Sequence, residues 1–131
     1  RIGYTAALSS IDEFKRLDVF KKIKKNGKVI KKIWFDLSKK YHVPIKIMGT
    51  NAIPYFEFKN DHEKKKTYLT QEMLKNNILA TNMIYITIFH DHKNIKKYIK
   101  ILNNVFYNIS AKDINKILKS KVCFKPINRI N

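Results

Sequence analysis

The sequence has one cysteine, three glycines and three prolines in 131 residues. The lone thiol, Cys123, excludes a disulfide framework within the chain and any cysteine-rich metal site. It fits a reducing compartment, so a cytoplasmic protein is expected. Three glycines are too few for a glycine-rich phosphate loop. No stretch approaches the roughly 18 consecutive apolar residues of a membrane-spanning helix, and no membrane partner is expected. Acidic residues are scarce, ten against 28 basic ones, for a formal net charge of +18. What remains is 44% apolar, too much for a disordered tail despite that charge. The chain opens at Arg1 with no initiator Met and no charged-then-apolar leader. The expectation is therefore one domain over residues 1–131, an excerpt of a longer protein.

Arginine is scarcer than the charge suggests. Only Arg1, Arg16 and Arg129 are Arg; the other 25 basic residues are Lys. Readers of nucleic acid lean on the planar guanidinium fork, which grips phosphates and guanine edges with two bonds. Lys, Asn and Ile have A/T-rich codons, whereas Gly, Pro and Ala have G/C-rich ones. The charge reads as a compositional bias that fell on solvated positions. A small Lys-rich domain binding nucleic acid or another polyanion without catalysis is the alternative. Against it, stacking platforms need exposed rings beside cations, and the aromatic residues here fall on apolar stripes.

Along the chain, Leu8, Ile11 and Phe14 lie at helical spacing within residues 4–16. Asp18 stands where an N-cap belongs. Phe20, Ile23, Gly27, Ile30, Trp34, Leu37 and Tyr41 then recur at steps of three and four, one apolar stripe on a long helix. Lys21, Lys22, Lys24, Lys25, Lys28, Lys31 and Lys32 fall on its wet faces. Gly27 sits on the stripe, where a missing Cβ permits close packing. Pro44 ends the helix. Ile45 and Ile47, then Pro54-Tyr55-Phe56-Glu57-Phe58, read as two short strands around Gly49-Thr50-Asn51. Residues 60–66 read as a polar loop and 67–77 as a short helix with Leu69, Met73 and Leu74 inward. Tyr85-Ile86-Thr87-Ile88-Phe89 reads as the strongest strand, nearly apolar and central. Asp91 or His92 caps a helix carrying Ile95, Tyr98, Ile99, Leu102, Val105, Phe106 and Ile109. A last helix covers 113–118, before a tail. Three or four strands with flanking helices make an α/β fold of α+β type, a two-layer sandwich of a small, mostly antiparallel sheet and helices.

Little of this is arranged for catalysis. His90-Asp91-His92 reads as a strand end and helix cap; alternate strand residues face opposite ways and no third ligand is signalled, so no metal is expected. His42 and His62 fall in loops. Cys123, between Val122 and Phe124, reads as a buried inert thiol. Asp12, Glu13 and Glu72 read as helix-surface charges, and no close carboxylate pair is signalled.

Several segments nonetheless resemble one family. The opening Arg1-Ile2-Gly3-Tyr4-Thr5-Ala6-Ala7-Leu8-Ser9-Ser10-Ile11 is similar to the helix following the active-site segment of class III aminotransferases, nearest the glutamate-1-semialdehyde 2,1-aminomutase branch. Pro54-Tyr55-Phe56-Glu57-Phe58, Thr70-Gln71-Glu72-Met73-Leu74-Lys75, Asn82-Met83-Ile84-Tyr85-Ile86-Thr87 and the His90-to-Ile95 junction follow in the same order and spacing. The ending Cys123-Phe124-Lys125-Pro126-Ile127-Asn128-Arg129 looks like a degraded form of that family's own. The resemblance implies the small, C-terminal domain of a fold type I pyridoxal-phosphate (PLP) enzyme. Such enzymes are homodimers that act on small amino donors and acceptors. It implies that the Schiff-base lysine and the aspartate facing the pyridine nitrogen belong to a large domain before Arg1, and that no catalytic residue lies in this segment. Asn82 matches a position where the aminomutases carry a glutamate near the cofactor. A neutral amide cannot act as a charged gate, which favours an ordinary transaminase or a sugar-type relative. Arg1 and Gly3 directly follow the active-site segment and are the other candidates for the site wall. Arg129 could grip a substrate carboxylate, although a tail ion pair is the simpler role.

Overall fold

The computed structural model describes residues 2–123. Arg1, Arg129 and the tail beyond Cys123 lie outside the described residues. In order, the chain forms α1 (Ile2–Arg16), α2 (Val19–Tyr41), β1 (Ile45–Gly49), β2 (Pro54–Phe58), α3 (His62–Lys75), α4 (His92–Ala111) and α5 (Ile114–Ile117). The architecture is α+β, a two-stranded antiparallel sheet with flanking helices. No helix among the described residues is long and apolar enough to cross a membrane.

The hairpin positions the core. Ile45 pairs with Phe58, Ile47 with Phe56 and Gly49 with Pro54. Paired residues share a face, so Phe56 and Phe58 lie buried beside the half-buried Ile45 and Ile47, while Glu57 points to water. Trp34 of α2 meets Phe56 edge-on at 4.8 Å between ring centroids, and Phe106 of α4 lies 6.2 Å from Phe56. Ile30, Leu69, Met73, Leu102 and Val105 complete this centre, none more than 1% exposed. Gly27 earns its place here: a Cβ would fall 1.8 Å from the backbone oxygen of Asn51. The helix runs through Asn26-Gly27 without a break.

Several expectations need correction. Phe20 is 75% exposed and stacks at 5.7 Å on Phe14, while Val19 is buried instead. Asp18 precedes α2 with φ of 49° but its side chain caps nothing. It lies 3.8 Å from Lys21. Residues 60–66 are not a loop throughout, because α3 begins at His62. Glu63, Lys64, Lys65 and Lys66 are good helix formers, and a polar first turn does not oppose a helix. His62 is therefore helical, and its Nδ1 accepts from Phe58 N at 3.1 Å. Leu74 is 52% exposed; Tyr68 takes the inward position instead. Cys123 is half-buried, its backbone N–H bonded to Thr67 Oγ1.

The largest correction concerns residues 85–89. They form no strand, and two strands are present among the described residues rather than three or four. The preceding residues run along β2 through Phe56 N to Asn82 O, Ile84 N to Pro54 O and Ile86 N to Ala52 O. Those bonds are spent before residue 87, and one bridge, Tyr55 to Met83, is all the ladder they make. Tyr85 and Phe89 are 68% and 78% exposed, so this apolar run lies at an edge and is not central.

Candidate functional site

The residues singled out in the sequence do not converge. Asn82 is the buried polar side chain of the described core. Its Nδ2 donates to Phe56 O at 2.7 Å, its carbonyl accepts from Phe56 N at 3.0 Å, and its Oδ1 accepts from Thr81 Oγ1 at 3.1 Å. The amide nitrogen and the backbone carbonyl fasten the segment to β2, while the amide oxygen is held by the neighbouring Thr81. Gly3 lies in the exposed first turn of α1, with open space where its side chain would be.

Just beyond Asn82 the chain makes a pinned turn. Thr87 N and Thr87 Oγ1 both approach His90 Nδ1, at 2.9 and 3.0 Å, and Phe89 N donates to Thr87 Oγ1. An Nδ1 that accepts a backbone N–H holds a lone pair, so the neutral ring carries its proton on Nε2. Asn26 Nδ2 donates to His90 O at 2.9 Å, and Asn94 Nδ2 donates to Phe89 O at 3.1 Å. Asp91 then caps α4 as expected, its carboxylate accepting from Asn94 N at 2.7 Å. His92 is exposed in the helix, and no group of three metal-ligating side chains exists among the described residues.

The turn walls a cleft of about 560 Å³ between Ile30 of α2, residues 77–85 and the first turns of α4. Tyr98 lies beneath it, buried, its hydroxyl accepting from Trp34 Nε1 at 2.9 Å. Burial pushes that hydroxyl well above the ordinary phenol range, and the indole bond offsets only part of the rise. Tyr68, on α3, is raised by burial and by nearby Glu72, against a bond from Asn108. Sequence reasoning missed Asn26, Asn94 and His90 as the pins of this wall. The Asp91 cap signal was the one local clue, since it fixes where the turn must end.

The lysines of α2 are solvated as expected, apart from the half-buried Lys31, whose Nζ donates to Gly49 O at 2.6 Å. Phe20 and Phe35 depart from the expectation that rings lie on core stripes; Phe35 is 53% exposed with Lys39 Nζ 5.6 Å from its centroid. Lys40 Nζ lies 4.9 Å from the centroid of the half-buried Tyr41, and two such contacts do not make a binding groove.

No protein-family model and no curated protein matches the chain. Among solved structures, it is similar to the FumI protein of Sphingopyxis sp. MTA144 in its PLP internal aldimine form, with a TM-score of 0.69 at 12% identity. The match covers 86% of this chain and 29% of that one. The chain therefore spans less than a third of that protein's length, and at this identity the likeness is one of fold: this chain folds as a segment of a PLP-containing protein does.

Proposed function

We propose that the chain is the small domain of a larger PLP-dependent aminotransferase of class III, and that it covers an active site whose cofactor is held by another domain. The observation that carries this reading is the shared fold with a segment of FumI, a protein solved with PLP. The five ordered motifs resembling class III enzymes support it. So does α1, whose apolar Tyr4, Leu8, Ile11 and Phe14 are 45 to 83% exposed, a face suited to packing on a further body.

The described residues do not fit the cofactor itself. Holding PLP takes a desolvated lysine, a partner for the pyridine nitrogen and a cradle of N–H groups for the phosphate. The lysine ammonium hydrogen bonds among the described residues are surface contacts, to Gly49 O, Asn103 Oδ1 and Asn115 Oδ1. Helices α2 to α5 each begin after an aspartate, Asp18, Asp61, Asp91 and Asp113. A carboxylate at a helix N-terminus repels the phosphate that the site would otherwise attract. No chemical step is assigned to this chain; its part is to cover the site, exclude water and orient the amino donor or acceptor. Asn82 serves as a positioning residue that holds residues 82–86 against β2. Arg1 and Gly3 would stand next to the active-site segment, in a homodimer.

The test is uptake of PLP by the parent polypeptide, followed by its absorbance. Saturable uptake near one cofactor per chain, with a spectral change on adding an amino acid, supports the reading. A parent polypeptide that takes up none refutes it.

A further inference from the structure

We infer that the cleft between α2, residues 77–85 and the start of α4 binds a small amphipathic carboxylate: an aliphatic tail ended by one negative charge. The inference does not rest on the cofactor reading. A volume of about 560 Å³ is that of a small-molecule site, and such sites pair an apolar lining with a few placed polar groups. Here the apolar part is Ile30, Ile78, Ala80, Ile84 and Ile95.

The polar part consists mainly of donors. Lys97 and His90 line the cleft, and among the described residues neither the Lys97 ammonium nor the His90 Nε2–H has an acceptor. The His90 donor is fixed in kind, because its Nδ1 is occupied by Thr87. The Tyr85 hydroxyl and the Asn77 side-chain amide, also on the lining, likewise have no partner among the described residues. No Asp or Glu lines the cleft. The nearby Asp91 is engaged in capping α4, where it accepts from Asn94 N.

Charge and shape then select the occupant. A chain of net charge +18 repels cations and draws anions. A phosphate is gripped best by an arginine fork or free helix N-terminal amides, and the lining offers neither. A single carboxylate can be met by Lys97 and a histidine N–H while its tail covers the isoleucines. That match is what the cleft supplies.

The test is a titration of the full chain with octanoate below its micelle concentration, followed by amide NMR shifts. Octanol, a tail without charge, and acetate, a charge without tail, are the comparison arms. The expected result is saturable shifts in the amides of residues 77–98 and Ile30 with octanoate, and binding weaker by roughly tenfold or more for both comparison ligands. Lys97→Glu, an exposed change, should weaken octanoate by a similar factor, and Ala80→Trp should fill the cleft and abolish binding. If the tryptophan variant does not fold, Lys97→Glu alone decides. Equal binding of octanol, unchanged affinity in Lys97→Glu, or shifts confined to the exposed apolar face of α1 would each overturn the inference.

Discussion

Trp34 Nε1 and Tyr98 Oη meet at 2.9 Å across 64 residues of chain, one from the middle of α2 and one from the second turn of α4. Both side chains are buried, and the phenol oxygen gives the indole N–H an acceptor where water cannot. The bond joins the core beneath the hairpin to the floor of the cleft. Tyr98→Phe would leave the indole N–H without an acceptor in a dry site. A loss of about 1–3 kcal/mol is expected, read as a lower urea midpoint at unchanged slope. A midpoint equal to that of the parent chain would show that the pair contributes nothing net.

The same pair predicts an alkaline limit to stability. Burial raises the Tyr98 hydroxyl above its ordinary range in the folded chain. Below a pH of about 10 both folded and unfolded chains keep the proton, and the contribution is fully present. Above it, the unfolded chain ionises first and stability falls with rising pH, by up to about 1.4 kcal/mol per pH unit for one tyrosine. Urea midpoints measured between pH 8 and 11 should therefore decline, less steeply in Tyr98→Phe. Parallel declines in the two proteins would assign the effect elsewhere.

Gly27 and Gly3 separate packing from helix propensity. Adding a methyl group at an interior helical glycine gains about 1 kcal/mol when space is available. Gly3 has that space, so Gly3→Ala should be neutral or slightly stabilising. At Gly27 the new Cβ would lie 1.8 Å from Asn51 O, a backbone atom that cannot swing aside. Gly27→Ala should cost about 1–3 kcal/mol by thermal unfolding. A clear loss at Gly27 with no loss at Gly3 is the check.

Two aspartates at helix starts should respond differently. Asp91 accepts from Asn94 N, so Asp91→Ala should cost about 1 kcal/mol and fray the first turn of α4. Asp18 has φ of 49° and no cap bond, so Asp18→Gly should cost nothing or stabilise. Circular dichroism melts of the two variants decide the matter.

Much of the fold was legible because its periodicity is strong. The α2 stripe from Ile23 to Tyr41, the alternation at Phe56 and Phe58, and the α4 stripe from Ile95 to Ile109 each needed only local spacing. Residues 85–89 were misread because β-propensity describes a residue suited to a pleated surface, without supplying the partner strand. Here Thr87 and His90 close a turn instead, and Tyr85 and Phe89 face outward. The start of α3 was missed because its first turn is polar and only Tyr68, Leu69 and Met73 are buried. At the candidate site the sequence pointed to Asn82 by resemblance. Its amide's partner, Phe56 O, lies 26 residues away, a separation that no local pattern encodes.

Asn82 offers its own test. Asn82→Leu keeps the bulk and removes the donor to Phe56 O, leaving that carbonyl unsatisfied at a cost of about 1–3 kcal/mol. Hydrogen exchange should quicken first at Ile84 and Ile86, whose amides bond to Pro54 O and Ala52 O. Unaltered exchange there would deny Asn82 its positioning role.

The most direct measurement for the account as a whole is to reduce the PLP-loaded parent polypeptide with borohydride and map the pyridoxyl group by peptide mass spectrometry. The proposal predicts one modified lysine, outside all 25 lysines of this sequence. A label scattered over the α2 lysines, or no retained label at all, would contradict it.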